Sequence, residues 1–333
     1  MNPYPLIRPL LFRMNAETAH DVTLRALRIG SHLKPLVSAI AGGHARALPR
    51  KVFGIEFPNP IGLAAGLDKN GVALPAWEAL GFGFVEIGTI TAYPQPGNPK
   101  PRLFRLPDQE ALINRMGFNN DGAEKVAQRL ERLKISGRWP RIPVGINIGK
   151  SRATPLENAA EDYLESFRML FPYGDYFVIN VSSPNTPGLR SLQNVDALKR
   201  ILCAMRDLES SKPILVKIAP DLAEEEIVEI ARLAEREHAA GLIATNTTIN
   251  HRSVPQALDE TGGLSGLPLR APSTDVIRLI KKHSPLPVIG VGGIMRASDA
   301  AEKLDVGAEL VQIYTGLIYR GPGLIREICR RIG

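Results

Sequence analysis

Residues 177–187 read Phe177-Val178-Ile179-Asn180-Val181-Ser182-Ser183-Pro184-Asn185-Thr186-Pro187. An apolar run too short for a helix gives way at once to a polar, proline-bearing cluster, as a strand buried on both faces does when it reaches a loop. The same pattern recurs along the chain, with apolar runs at 61–64, 84–88, 144–148, 177–181, 214–218, 241–244, 288–291 and 310–314. Between them lie stretches long enough for a helix, such as 224–237, which makes each pair a βαβ unit of a parallel sheet. Eight such units over about 270 residues predict a (β/α)₈ barrel of the α/β class. A doubly wound open sheet is the second reading, but its dinucleotide fingerprint is missing, because Gly81-Phe82-Gly83 precedes a strand instead of opening a helix after one.

Two intervals exceed a simple helical crossover: 93–120, rich in Pro, Gly and Arg, and 250–268. In a barrel both fall on the C-terminal face, where active sites are built. Residues 51–57 read as extra strand material, a hairpin closing the bottom.

Ahead of the barrel the sequence changes character. Residues 16–33 predict an amphipathic helix capped by Asn15, with Ala19, Val22, Ala26 and Leu27 on one side. Leu6, Ile7, Leu10, Leu11 and Met14 suit a second short helix, provided that it begins close to Pro9. The first 50 residues carry seven Lys/Arg against two Asp/Glu, most of the chain's net charge of +7. An anionic partner follows. Nucleic acid fits the charge, but no helix-turn-helix, RNP or aromatic-interleaved signature accompanies it, and two basic-flanked amphipathic helices equally suit a bilayer surface or simple packing on the barrel. No run is long enough to span a membrane and no secretory signal is visible, so the expected compartment is the cytosol. Cys203 and Cys329, the two cysteines, are far apart and without ligand-type neighbours, which argues against a disulfide framework or a metal site.

Chemistry-bearing residues cluster where the runs end. The first is followed by Ala64-Ala65-Gly66-Leu67-Asp68-Lys69-Asn70, the second by Thr89, the third contains Asn147 and ends Gly149-Lys150, and the sixth continues into Thr245-Asn246-Thr247-Thr248. Singly each is ordinary turn chemistry; recurring at equivalent strand ends, they describe a decorated rim. Lys217, inside Ile214-Leu215-Val216-Lys217-Ile218, is a charge where a barrel strand is otherwise apolar. It needs a partner: either a salt bridge within the barrel or a group that becomes anionic during turnover. The last two runs supply Gly290, Gly292, Gly293 and the helix start after Tyr314-Thr315-Gly316, which suit a phosphorylated ligand without separating a flavin mononucleotide from a sugar phosphate.

Several long segments then resemble those of one family. Asn59 to Lys69, Ile113 to Asn120, Asn180 to Arg190, Lys217 to Asp221, Ala244 to Thr248, Gly262 to Gly266 and Ile289 to Ile294 look like the signature segments of the dihydroorotate dehydrogenases. The resemblance implies one FMN per subunit, contacted by Ala65, Gly66, Leu67, Asp68, Lys69, Thr89, Asn147, Asn180, Lys217, Thr245, Gly266, Gly293, Tyr314 and Thr315. It implies dihydroorotate held by Lys69, Asn114, Arg115, Met116, Gly117, Phe118, Asn180, Asn185, Asn246 and Thr247, with Ser183 as catalytic base and Lys217 stabilising charge on the reduced flavin. A serine at the base position and the N-terminal helices are similar to class 2 relatives, whose electron acceptor is a membrane quinone. By that resemblance residues 1–45 form a membrane-associating quinone-tunnel extension and 46–333 the FMN-binding barrel, with His20, Arg105 and Tyr314 at the quinone site. The same resemblance implies a role in pyrimidine (UMP) biosynthesis, ubiquinone or menaquinone as co-substrate, no nucleic-acid partner, a monomer, and a peripheral place on the cytoplasmic face of the bacterial inner membrane through residues 1–40. The rival readings are a class 1 relative with a soluble acceptor, an inosine-monophosphate-dehydrogenase-like barrel, whose active-loop cysteine is not placed here, and a membrane-binding protein that has lost activity.

Overall fold

A computed structural model of the chain describes residues 3–43, 45–209 and 211–333; of the expected N-terminal extension, residues 1, 2 and 44 lie outside the described residues. Eight parallel strands close into a barrel: β1 (Ile61–Leu63), β2 (Phe84–Ile90), β3 (Val144–Ile148), β4 (Tyr176–Asn180), β5 (Ile214–Ile218), β6 (Gly241–Ala244), β7 (Val288–Val291) and β8 (Leu310–Ile313). Each pairs with its neighbours in sequence and β8 returns to pair with β1, Val311 opposite Ile61. All eight predicted runs are therefore barrel strands, four with the same ends and four differing by a residue or two. Alternate residues face the barrel interior, where Phe84, Tyr176, Val178, Leu215, Ile243, Ile289 and Leu310 pack in its lower half. Residues of opposite parity, with the surrounding helices, form the larger core outside the strands. The expected bottom hairpin is present as Arg50–Val52 paired antiparallel with Ile55–Phe57, and Phe57 plugs the interior, its ring 5.2 Å from that of Phe84.

The two long insertions pair with each other. Strands Leu103–Leu106, Ala111–Asn114 and Gly263–Gly266 form a three-stranded antiparallel sheet, with Asn114 opposite Gly263 and Ala111 opposite Gly266. This sheet stands over the C-terminal rim and fixes one wall of the cleft there.

The N-terminal segment departs from expectation in three ways. It holds three helices, not two: α1 (Tyr4–Arg13), α2 (Ala16–Gly30) and α3 (Lys34–Ile40). Pro9 lies inside α1 and does not start it; the N–H it lacks would have bonded the carbonyl of Pro5, so only one helical bond is forgone. The expected single apolar side of α2 is split, because Ala19 is buried and Leu27 packs on the barrel, whereas Val22 and Ala26 face outward. Asn15 does cap α2, its Oδ1 accepting from the N–H groups of Glu17 (3.0 Å) and Thr18 (3.4 Å). Leu6 (79% exposed), Leu10 (62%), Ile29 (69%) and Leu33, Leu36 and Ile40 remain in solvent. Among the described residues no helix is long and apolar enough to cross a membrane.

Two arginines, Arg102 buried and Arg105 half-buried, fasten this segment to the insertion sheet. Arg102 donates to the Glu17 carboxylate (Nη2 to Oε1 2.7 Å, Nε to Oε1 3.1 Å) and to the carbonyls of Pro96 (2.6 Å) and Asn98 (2.8 Å). Arg105 donates to the carbonyls of Leu11 (3.0 Å) and Met14 at the end of α1, where a cation is favoured, and its guanidinium lies 4.8 Å over the Phe12 ring.

Candidate active site

A cleft of about 980 Å³ opens at the C-terminal rim. Every barrel strand contributes to it or to the side chains directly beneath. Beneath its floor, inside the barrel, sits Glu86 of β2, fully buried. Its Oε1 accepts from Asn147 Nδ2 (2.8 Å) and its Oε2 from Gln312 Nε2 (2.6 Å), with Lys217 Nζ 3.7 Å away. The carboxylate therefore supplies the counter-charge that Lys217 requires, and Lys217 also lines the cleft. Lys217 is thus salt-bridged within the barrel and, as part of the cleft lining, also stands next to whatever the cleft holds.

Glu86 also sets the orientation of the amides above it. Because Asn147 gives its NH₂ to the carboxylate, its Oδ1 is left to accept from Thr89 Oγ1 (2.6 Å) and Asn180 Nδ2 (3.1 Å). Asn180 Nδ2 reaches Thr89 Oγ1 as well (2.8 Å), which leaves Asn180 Oδ1 to accept from Ser182 Oγ (3.2 Å) and Asn246 Nδ2 (3.3 Å). A buried network of this kind holds its members in one arrangement, since any flip strands a polar group.

Of the residues the sequence singled out, Ala65, Gly66, Lys69, Thr89, Asn114, Met116, Gly117, Phe118, Asn180, Ser183, Asn185, Lys217, Thr245, Asn246, Thr247, Gly266, Gly293, Tyr314 and Thr315 line this one cleft. Asn147 lies just behind it, acting on Thr89 and Asn180. Leu67 and Asp68 do not reach it. Asp68 is fully buried and accepts from the N–H groups of Val72 (2.8 Å) and Ala73 (2.9 Å) and from Trp77 Nε1 (2.9 Å), so its carboxylate braces the turn that presents Lys69. Arg115 is also directed elsewhere: it bonds Glu260 (2.8 Å) and the Thr261 carbonyl (3.2 Å) and stacks 4.6 Å over Phe104, tying the two insertions together.

Ser183 Oγ accepts the Asn185 N–H at 3.3 Å, and among the described residues no imidazole or carboxylate bonds to it. Asn185 Nδ2 donates to Asn114 Oδ1 (3.1 Å), joining the β4 loop to the insertion sheet. Arg190 braces this loop from behind, donating to the carbonyls of Ser182 (3.2 Å) and Thr247 (3.2 Å) and pairing with Asp221 at 2.9 Å. Phe118 holds a left-handed backbone (φ 55°) in the cleft wall, a costly conformation for a bulky residue and one that clusters at functional sites.

Lys69 is half-buried in the cleft lining, Nζ donating to the Gly66 carbonyl at 2.9 Å. Burial, reinforced by the Arg102 charge, pushes its ammonium down to about 8. His20 of α2 lies near it; burial first, then the Lys69 charge, pushes the imidazole down to about 3, so it is neutral at ordinary pH. Tyr314, whose phenol burial pushes up to about 12, lines the cleft and packs with Phe12 of α1, Leu112 and Tyr319. His20, Arg105 and Tyr314 thus all stand where the N-terminal helices meet the rim.

At the far end of the cleft the turn after β7, Gly292 (φ 119°) and Gly293 (φ 71°), faces Thr315, which opens the helix after β8. A Cβ on Gly293 would stand 2.2 Å from Arg270 Cα, so only glycine fits. Backbone amides at one end and Lys217, Asn180, Thr89 and the buried Oε1 of Gln312, which has no partner among the described residues, at the other suit a phosphorylated planar heterocycle, which is what FMN is.

Sequence reasoning missed Glu86, Gln312, Arg190 and the Glu17–Arg102 pair. Glu86 carried the signal used for Lys217, a charge within an apolar run.

Residues 47–333 match the family profile described as Dihydroorotate dehydrogenase. A protein of Chloroflexus aurantiacus named "Dihydroorotate dehydrogenase (quinone)" is 53% identical over 98% of this chain and 94% of its own length. One of the same name from Chromobacterium violaceum is 51% identical over 98% of this chain and 96% of its own. At such coverage the alignments take in most of the N-terminal helices, which the family profile leaves out. Among solved structures, DHODH from Eimeria tenella in complex with ferulenol matches with a TM-score of 0.86 at 36% identity, covering 97% of this chain and 93% of that one. With its closed barrel, its rim and its near full-length relatives in agreement, the chain belongs to the dihydroorotate dehydrogenase family.

Proposed function

We propose that this chain oxidises dihydroorotate to orotate with FMN as cofactor and a quinone as final acceptor, in pyrimidine biosynthesis. The observation that carries the reading is the convergence of Lys69, Ser183, Asn185 and Lys217 on one cleft whose far end offers a phosphate turn. When bound, FMN supplies a hydride acceptor that can be reoxidised by a quinone. It would be held by Gly293 and Thr315 at its phosphate, by Thr89, Asn180 and Lys217 at its ring, and by Ala65, Gly66, Thr245, Gly266 and Tyr314 along its length.

The protein's own groups then divide the work. Lys69 pairs with the carboxylate of dihydroorotate, while Asn114, Asn185, Asn246 and Thr247 offer amide and hydroxyl groups to the edges of its ring. Ser183 Oγ takes the proton from C5 as its own hydroxyl proton passes to solvent water, the Asn185 N–H stabilising the charge that develops on the oxygen, while the hydride departs from C6. Lys217, fixed by Glu86, is a standing cation beside the ring site and needs no proton transfer to act. The three-stranded insertion sheet excludes water from one side.

Residues 1–45 form a separate functional unit on the barrel of residues 46–333. Exposed Leu6, Leu10, Ile29, Leu33 and Leu36, flanked by the basic residues of this segment, rest on an anionic bilayer surface, and quinone enters between α1 and α2 toward His20, Arg105 and Tyr314. The protein acts as a monomer, peripheral to the cytoplasmic face of the inner membrane. The deciding experiment is anaerobic: dihydroorotate should bleach the flavin absorbance of the purified protein, and a ubiquinone analogue, but not fumarate or NAD, should restore it. Flavin that dihydroorotate leaves oxidised would overturn the reading.

A further inference from the structure

The chemistry above gives no task to Lys303, although it is fully buried (0% exposed). It stands on the helix Ala297–Asp305, and its ammonium reaches across to the first turn of the helix Arg270–His283, donating to Ser273 Oγ, to Thr274 Oγ1 (3.0 Å) and to the Arg270 carbonyl (3.3 Å). Three donors meet three acceptors, yet burial still pulls the ammonium down to about 7. An apolar side chain would fill the same space without the desolvation cost of a buried ammonium, so packing alone does not call for a lysine here.

What Lys303 touches leads to the cleft. Ser273 Oγ receives the ammonium on a lone pair and has one hydrogen to give. The Arg270 carbonyl, 3.2 Å away, already accepts from Lys303 and from Thr274 Oγ1 (2.9 Å), which directs that hydrogen to the Gly292 carbonyl at 3.0 Å. A planar trans peptide points its N–H opposite to its C=O. Tying the Gly292 carbonyl to the helix therefore turns the Gly293 N–H away from it, toward the cleft that both glycines line.

We infer that Lys303 is a positioning residue for phosphate recognition: through Ser273 it holds the Gly292–Gly293 turn with its amide toward the phosphate of FMN. The inference rests on the reading of this end of the cleft as the phosphate end. Riboflavin, which has the same ring and no phosphate, separates the two. Full-length protein stripped of flavin is titrated with FMN and with riboflavin, following fluorescence quenching, for the wild type, Lys303→Met and Ser273→Ala, with circular dichroism to establish folding. The wild type should bind FMN far more tightly than riboflavin; Lys303→Met should lose about tenfold or more in FMN affinity and leave riboflavin affinity unchanged, and Ser273→Ala should shift FMN affinity in the same direction. Equal losses for both ligands, or none for FMN in either folded variant, overturn the inference while leaving the phosphate end in place. If Lys303→Met does not fold, Ser273→Ala decides alone. A wild type that binds both ligands alike removes the phosphate reading itself, and the inference with it.

Discussion

Replacing Glu17 with Ala tests how the N-terminal helices are held. Arg102 is buried and gives Nη2 and Nε to this carboxylate at 2.7 and 3.1 Å, with Lys100 at 3.2 Å. Removing one partner of a buried pair costs about 3–5 kcal/mol, because a charge is left uncompensated. Arg102 would keep the Pro96 and Asn98 carbonyls, which places the expected loss near the lower end, ~3 kcal/mol. Glu17 stands on α2, outside the barrel strands and the helices between them, so the loss falls on docking of α2 and not on global stability. At 1.4 kcal/mol per tenfold, the undocked population rises roughly a hundredfold. Limited proteolysis of the N-terminal segment reads that population when reclosing is fast: cleavage should accelerate by about the same factor, with the melting temperature of the barrel nearly unchanged. Quinone reoxidation should fall while reduction by dihydroorotate persists. An unchanged cleavage rate, or parallel loss of both half-reactions, would refute the reasoning. The pH dependence follows. Burial opposes the Glu17 charge, but hydrogen bonds from Arg102 and Lys100 outweigh it and hold the carboxyl below the usual range. A lowered folded pKa means stabilisation that is complete above the ordinary carboxylate value and lost as pH falls through the folded one. Wild-type docking should therefore loosen only below about pH 4, and Glu17→Ala should not respond there.

Ser183→Ala should retain FMN yet reduce it at least about a hundredfold more slowly in stopped flow, the ordinary worth of a positioned base; near-normal reduction excludes Ser183 from that role. Glu86→Gln leaves Lys217 without its counter-charge and sets a new NH₂ against the donors of Asn147 and Gln312, so urea denaturation should register a loss of about 3–5 kcal/mol, and a loss below ~1 kcal/mol would show that the floor is not organised by this carboxylate. Because Lys69 titrates near 8 and only its cationic form pairs with a carboxylate, dihydroorotate KM should be flat below that pH and rise about tenfold per unit above it; a profile level to pH 10 removes Lys69 from carboxylate binding.

The barrel was legible because parallel strands covered on both faces appear as unbroken apolar runs, and its rim because polar clusters stood at the end of nearly every run. What stayed hidden was set by partners distant in sequence. Glu86 sits in a run short enough to pass as apolar, and only the barrel brings it to Lys217 and Gln312. Glu17 and Arg102 meet across 85 positions, which no local spacing encodes. The insertion sheet is built of four-residue strands with little alternation, so residues 93–120 and 250–268 could be read as functional loops but not as partners of each other. The helix Lys34–Ile40 is seven residues long with Pro35 in its first turn, too brief for periodicity to register.

Closure of the barrel by β8 against β1 has a consequence for biosynthesis. Gln312 reaches Glu86 across 226 positions, and the phosphate turn and Thr315 lie equally late in the chain. A polypeptide still emerging from the ribosome has most of its strands but neither its last staves nor the far end of its flavin cleft, and the unpaired edge of β1 is open to wrong neighbours. The flavin cleft on this scaffold is thus completed only when the last two strands have formed and closed on β1, late in the assembly of the barrel.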